Sequence, residues 1–277
     1  MSVATEQFQY VQELVRERCA IVLREDKGYL VESRLAPIAH SLGMDGADAV
    51  LRRLRASRDS HLEQQVLEAM TTNETSWFRD LRPFNALRDC VLPDVLRQKH
   101  TDKRLCIWSA ACSSGQELYS VAMLLEEHFP LLQHGWDVQL IGTDFNSEMV
   151  RRATSATFST VEVNRGLPAS LLVRYFDQEG ANWRVSSKLR QRVHFMRMNL
   201  VGMWPALPIF DIVLLRNVLI YFDLGTKRRV LARTARQMGV GSALFLGGAE
   251  TTTGLCDELE AVSSGGSTFY RLKRGDR

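Results

Sequence analysis

Apolar residues recur at helical spacing through the first quarter of the chain. Phe8, Val11, Leu14 and Val15 form one such stripe, and Leu35, Ile38, Ala39 and Leu42 a second. Val50, Leu51 and Leu54 form a third, and Leu62, Val66, Leu67 and Met70 a fourth. This is the i, i+3, i+4 signature of amphipathic helices. Gly28, Gly43 and Gly46 punctuate it, so residues 6 to about 71 read as a small all-helical domain. "MTTNETSWFRD" (70–80) then breaks the pattern, being too polar and β-branched for a helix interior. Helix is expected to resume at Leu81–Pro83, where Pro83 suits a first turn, and to run toward Val91.

From Arg104 the period changes. Short strands ("RLCIWSA", "WDVQLIGTD", "RVHFMRMN", "FDIVLLRN", "GSALFLGGAE", "STFYRLK") alternate with helices such as "GQELYSVAMLLEEHF", "SEMVRRATSA" and "DLGTKRRVLARTARQM". Such alternation predicts an α/β fold with a largely parallel sheet. Ligands of these sheets bind outside the carboxyl ends of the strands. Candidate chemistry therefore falls at Ser109 to Ser114, Thr143 to Asn146, Asn199–Leu200 and Arg216–Asn217. "LVRYFDQEGANWRVSSKLRQRVHF" reads as an insertion holding a small hairpin, with Gly180 in the turn and Trp183 and Val185 on its second arm.

Composition narrows the function classes. The chain has 277 residues, 45% hydrophobic and 24% charged, which suits a globular protein with a sizeable core. A formal net charge of only +3 gives no support to a nucleic-acid partner. The five cysteines are scattered without a CxxC, as expected of reduced thiols in a cytoplasmic protein. Histidines show no HxxxH pair, so no metal site is expected. The polar N-terminus is not a signal peptide, and the most apolar run, "IFDIVLLRNVLIYF", is broken by Asp211 and Arg216, so no direct membrane insertion is expected.

"WSAACSSGQELYS" (108–120) sits where a phosphate-binding loop would. It lacks the GxxxxGK[ST] of a P-loop and has one glycine, Gly115, of a GxGxxG fingerprint. Its small residues still permit close approach of a ligand without a pyrophosphate; the other reading is an ordinary turn with Ser114 as helix N-cap. Asp144, ending the second strand, can accept hydrogen bonds from both ribose hydroxyls, whereas Asn146 or Ser147 is better placed to cap the next helix. Poor glycine loop plus strand-end aspartate favours S-adenosylmethionine over NAD. At the fourth strand end, "RNVLIYF" carries a cation, Arg216, which suits an anionic methyl acceptor; pairing with a structural carboxylate is the alternative.

Together these motifs resemble the CheR family, chemotaxis receptor methyltransferases that esterify receptor glutamates using S-adenosylmethionine. The landmarks are "TTNETSWFRD", "IWSAACSSGQELYS", "GTDFN", "MNL" and "FDIVLLRNVLIYF", in family order along nearly the whole chain. Gln116 and Leu118 depart from the family's glutamate and proline, while Glu117 is retained. The resemblance implies a Rossmann-like class I methyltransferase sheet, an N-terminal all-helical domain and a small antiparallel β insertion. It places the receptor-docking domain at 1–71, a linker and connecting helix at 72–96, and the methyltransferase domain at 97–277, with a β-subdomain at about 174–197. By position it puts Asn73, Thr75, Arg79, Glu117, Asp144, Asn199, Leu200, Arg216 and Asn217 around S-adenosylmethionine. Arg79 would meet the methionine carboxylate, Glu117 its ammonium and Asp144 the ribose, with Arg216 and Tyr221 at the reaction centre orienting the acceptor.

A glutamate acceptor needs no general base, its reference pKa being near 4.3. The basic run "RRLRASR", with Arg52, Arg53, Arg55, Arg58 and one nearby acid, Asp59, is expected to dock an acidic region of the receptor's cytoplasmic helices; a solvated helix face is the plainer reading. The short turn between Phe176 and Arg184 argues against a tether to a C-terminal receptor pentapeptide, and a monomer is expected. Two other functions remain open at this point: a methyltransferase for RNA or a small molecule, and a non-catalytic S-adenosylmethionine-binding signalling module.

Overall fold

The computed structural model describes residues 3–57 and 59–273. It comprises two compact units, Met1–Thr72 with Asn199–Met203 and Tyr221–Thr226, and the remainder, Asn73–Met198 with Trp204–Ile220 and Lys227–Arg277.

The first unit is helical: α1 (Thr5–Cys19), α2 (Gly28–Ser41), α3 (Gly46–Ala56) and α4 (Ser60–Ala69). Each helix buries its apolar stripe: Val11 and Val15 from α1, Val50 and Leu51 from α3, Leu62 and Val66 from α4. On α2 the buried line is Val31, Leu35 and Ala39, leaving Leu42 exposed, so the sequence stripe is shifted by part of a turn. Asp59 caps α4, its carboxylate accepting the N–H groups of His61 and Leu62 at 3.0 Å. The later segments join through backbone: Ile21 bridges Phe222, and the Val22 N–H donates to the Tyr221 carbonyl.

Among the described residues the second unit carries ten strands: β1 (Arg104–Ala110), β2 (Asp137–Asp144), β3 (Thr157–Ser159), β4 (Phe176–Glu179), β5 (Asn182–Val185), β6 (Val193–Arg197), β7 (Phe210–Leu215), β8 (Met238–Leu246), β9 (Leu259–Ser264) and β10 (Ser267–Leu272). Seven form one sheet in the order β6-β2-β1-β7-β8-β10-β9. The first five strands of that order are parallel, and β10 runs antiparallel to β8 and β9. The expected α/β class with a Rossmann-like sheet, a helical N-terminal part and an antiparallel insertion is what the chain adopts. β7 is buried throughout, and its Asp211 is tolerated because its carboxylate accepts the Cys106 N–H at 2.8 Å and pairs with Lys99 at 3.1 Å.

The insertion is a three-stranded sheet in the order β3-β5-β4, with Gly180 in the β4–β5 turn. Its membership differs from the stretch 174–197. Val193–Arg197 pairs with β2 in the large sheet, and the third strand of the small sheet comes from Thr157–Ser159. Packing explains the recruitment: Phe158 of β3 and Phe176 of β4 both lie edge-on to the buried Trp77, at 4.9 and 5.3 Å. β9, edge strand of the large sheet, is an addition that its mixed, half-exposed residues did not announce. The connecting helical stretch runs past Val91 to Gln98.

Candidate active site

From β1 the chain builds outward to β2 and β6, then returns to add β7 and β8, so the topological switch falls between β1 and β7. Ligands of doubly wound sheets bind at that point. The loop after β1 is shaped for close approach. Ala111, Ser113 and Gly115 all have positive φ, of 62°, 50° and 93°. A Cβ on Gly115 would lie 2.9 Å from the Ala153 Cβ, so glycine is required there twice over, by φ and by space. Gly115 is also the N-cap of the helix Gln116–His128; Ser114 instead donates from its hydroxyl to Gln116 Oε1 at 2.9 Å.

Asp144 ties this loop to the end of β2. Its Oδ2 accepts the Ser113 N–H at 2.8 Å and its Oδ1 the Asn146 N–H at 2.9 Å. Asn146 caps the helix Ser147–Ser155, leaving Asp144 out of that role. The Ser113 hydroxyl donates to the Asn73 carbonyl at 2.8 Å, and the Phe78 N–H donates to the Ser120 hydroxyl at 3.1 Å. The polar stretch after residue 72 thus runs along the carboxyl end of β1. Thr75 is half-buried in it, and Arg79 donates from Nη1 to the Glu74 carbonyl at 2.9 Å.

Glu117 and Arg216 form the buried centre of the network, their side chains 12% and 1% exposed. Glu117 Oε1 accepts from the Ser109 hydroxyl at 2.7 Å, and Oε2 pairs with Arg216 Nη1 at 2.8 Å. Arg216 Nη2 donates to the Arg79 carbonyl at 2.9 Å and to Asp80 at 2.8 Å. One guanidinium therefore joins β7, the helix after β1 and the polar linker. Asn217 follows with φ of 58°. Cys112 is buried beside them; burial, then Asp144 and Glu117, push its thiol well above the usual range, so it is packing and no thiolate nucleophile.

The structure brings together Asn73, Arg79, Glu117, Asp144, Arg216 and Asn217 within the larger unit. Asn199, Leu200 and Tyr221 group with the helical unit, where the Asn199 amide donates to the Arg18 carbonyl at 2.7 Å. Sequence reasoning passed over Asp80, which partners Arg216, and Glu250, whose carboxylate accepts the Asn217 N–H at 2.8 Å. The available signal for Glu250 was a carboxylate just beyond the carboxyl end of the strand neighbouring β7.

Two family models divide the chain between them: the CheR methyltransferase all-alpha domain matches residues 6–71, and the CheR methyltransferase SAM binding domain matches residues 73–266. The chain belongs to the CheR methyltransferase family. Chemotaxis protein methyltransferase 1 of Pseudomonas aeruginosa is 38% identical over 278 residues, covering 99% of this chain and 100% of that one. Chemotaxis protein methyltransferase Cher2 of Pseudomonas putida is 37% identical over 276 residues, with coverage of 99% and 100%. The chemotaxis protein methyltransferase of Vibrio parahaemolyticus is 34% identical over 277 residues, with 99% of each chain covered. S-adenosylmethionine is accordingly the cofactor of this CheR-family protein, and methyl transfer its chemistry. The donor set fits: a small-residue loop with alternating left-handed backbone, and two carboxylates, Glu117 and Asp144, for a cationic nucleoside.

The arginines of α3 lie in the helical unit. Arg52, Arg53 and Arg55 are exposed, while Arg58 lies outside the described residues. Folding supplies an acid that the local sequence does not show, Glu6 of α1, which pairs with Arg55 at 2.7 Å; Arg52 pairs with Asp48 of its own helix at 3.5 Å, and Asp59 serves as the α4 cap. Among the described residues no helix is long and apolar enough to cross a membrane.

Proposed function

We propose that this protein methylates glutamate carboxylates in the cytoplasmic helices of chemoreceptors, giving γ-methyl esters. The supporting observation is the end-to-end match of both family domains, alongside relatives named chemotaxis protein methyltransferase. Bound S-adenosylmethionine supplies an electrophilic methyl group on a sulfonium. In this reading Asn73, Thr75 and Arg79 hold the methionine moiety, Glu117 its ammonium and Asp144 the ribose hydroxyls. Asn199, Leu200 and Asn217 complete that set on the family resemblance alone.

Arg216 orients the acceptor carboxylate together with Tyr221 and is itself held by its partners. With Nη1 on Glu117 and Nη2 on Asp80 and the Arg79 carbonyl, it holds an acidic group and the linker in one geometry. Tyr221 is assigned the acceptor carboxylate. A glutamate is already ionised at neutral pH, so no residue has to remove a proton. The chain contributes orientation, which in favourable systems supplies up to about 7–11 kcal/mol. The exposed arginines of α3 dock the acidic receptor surface, and the two-residue β4–β5 turn, Gly180 and Ala181, accords with action independent of a C-terminal pentapeptide. The test is incubation with methyl-labelled S-adenosylmethionine and receptor-containing membranes. Alkali-labile label on receptor is expected; alkali-stable label, or label on RNA, overturns the assignment.

A further inference from the structure

β7 and β8 end side by side, Leu215 opposite Leu246. Beyond that pair the chain needs new partners for its backbone, because the ladder has stopped. One side chain provides them. Glu250 Oε2 accepts the N–H of Asn217 at 2.8 Å and of Gly247 at 2.7 Å, and Oε1 accepts the N–H of Ile220 at 3.2 Å. The Glu250 N–H itself donates to the Gly247 carbonyl at 2.9 Å, closing the turn that presents the carboxylate. The fit leaves no slack. A Cβ on Gly247 would stand 2.6 Å from Asn217 Nδ2 and 2.8 Å from Glu250 Oε2.

We propose that Glu250 is a positioning residue for methyl transfer, its carboxylate setting the backbone of residues 217–220 and thereby the direction of the Asn217 amide. The inference rests on the reading of Asn217 as a donor-binding residue. Asn217 occupies the left-handed region at φ 58°, which asparagine tolerates but does not require, so something must hold it there. Three N–H groups converging on one carboxylate do so, as charge-assisted hydrogen bonds roughly twice the strength of neutral ones. An amide cannot replace it. Glutamine would turn an NH2 group toward N–H donors and lose at least one of the three bonds.

The experiment compares the full-length wild type with Glu250→Gln, Gly247→Ala and the nearby Thr251→Ala by calorimetric titration with S-adenosylhomocysteine, alongside thermal melts. Glu250→Gln and Gly247→Ala should each weaken binding about tenfold or more and raise KM for S-adenosylmethionine, whereas Thr251→Ala should match wild type. Wild-type affinity in a folded Glu250→Gln, with only its Tm lowered, overturns the proposal in favour of a purely structural role. Should Glu250→Gln fail to fold, Glu250→Asp decides, since it keeps the charge and shortens only the reach: weakened binding in the folded variant supports the proposal, and wild-type affinity overturns it. Wild type that binds S-adenosylhomocysteine but does not label receptor would overturn the proposed acceptor and leave this inference standing.

Discussion

At the scale of the residue, Glu117 and Arg216 concentrate the electrostatics of the site. Each is costly to bury alone, and each pairs with the other, with further hydrogen bonds from Ser109 and to the Arg79 carbonyl, while Arg216 Nε is buried without a hydrogen-bond partner among the described residues. Removing the charge from one partner leaves the other half-matched in a dry environment. Glu117→Gln is therefore expected to cost about 1–3 kcal/mol in urea unfolding and to weaken S-adenosylmethionine binding by about tenfold or more. A variant with wild-type affinity would show that Glu117 serves only the fold. The pairing was half legible beforehand: Arg216 could be read as meeting either an anionic acceptor or a structural carboxylate, and one-dimensional sequence cannot show that residue 117 lies against residue 216.

At the scale of the element, the linker after residue 72 depends on Trp77. Its indole Nε1 donates to the Glu162 carbonyl at 3.1 Å and its N–H to the Arg165 carbonyl at 3.0 Å, while Phe158 and Phe176 pack edge-on against the ring. The small sheet thus anchors one end of the segment whose other end meets Ser113 and Arg216. Trp77→Ala should destabilise the protein by about 3–5 kcal/mol, a large-to-small core change. Trp77→Phe retains much of the packing and loses one hydrogen bond, a cost of about 1 kcal/mol. Both should reduce donor affinity in the same order, measurable by titration with S-adenosylhomocysteine at a temperature where each is folded. The "MTTNETSWFRD" run announced only that it was not helix. Phe78 and Leu81 adopt positive φ, values that no local propensity assigns to such residues and that tertiary contacts must enforce.

At the scale of the whole molecule, receptor docking should be electrostatic. The net charge of +3 hides local surfaces, of which the exposed Arg52, Arg53 and Arg55 of α3 form one. Attraction between exposed charges falls as the Debye length shrinks from about 10 Å at 0.1 M salt to about 3 Å at 1 M. Raising ionic strength across that range should lower kcat/KM for receptor about tenfold or more, with little change in S-adenosylhomocysteine affinity. Arg53→Glu should reproduce the loss at low salt. Receptor methylation indifferent to both treatments would remove α3 from the docking surface. Here the sequence overstated the patch, because Glu6 is distant in the chain yet pairs with Arg55 in the fold.

What the sequence by itself determined was the periodic content of the fold: helices first, then strands alternating with helices, and strand ends carrying Asp144, Arg216 and Asn217. Periodicity is local, since it records which face of each element meets the core, and a doubly wound sheet follows from alternation almost without choice. The tertiary structure alone decided matters of long-range pairing. It drew Thr157–Ser159 into the small sheet, sent Val193–Arg197 to the large one, added β9 at the far edge and set Glu250 beneath the loop after β7. Those outcomes depend on which backbone groups and side chains find partners far along the chain. Neither spacing nor composition encodes such a partner until the chain has folded.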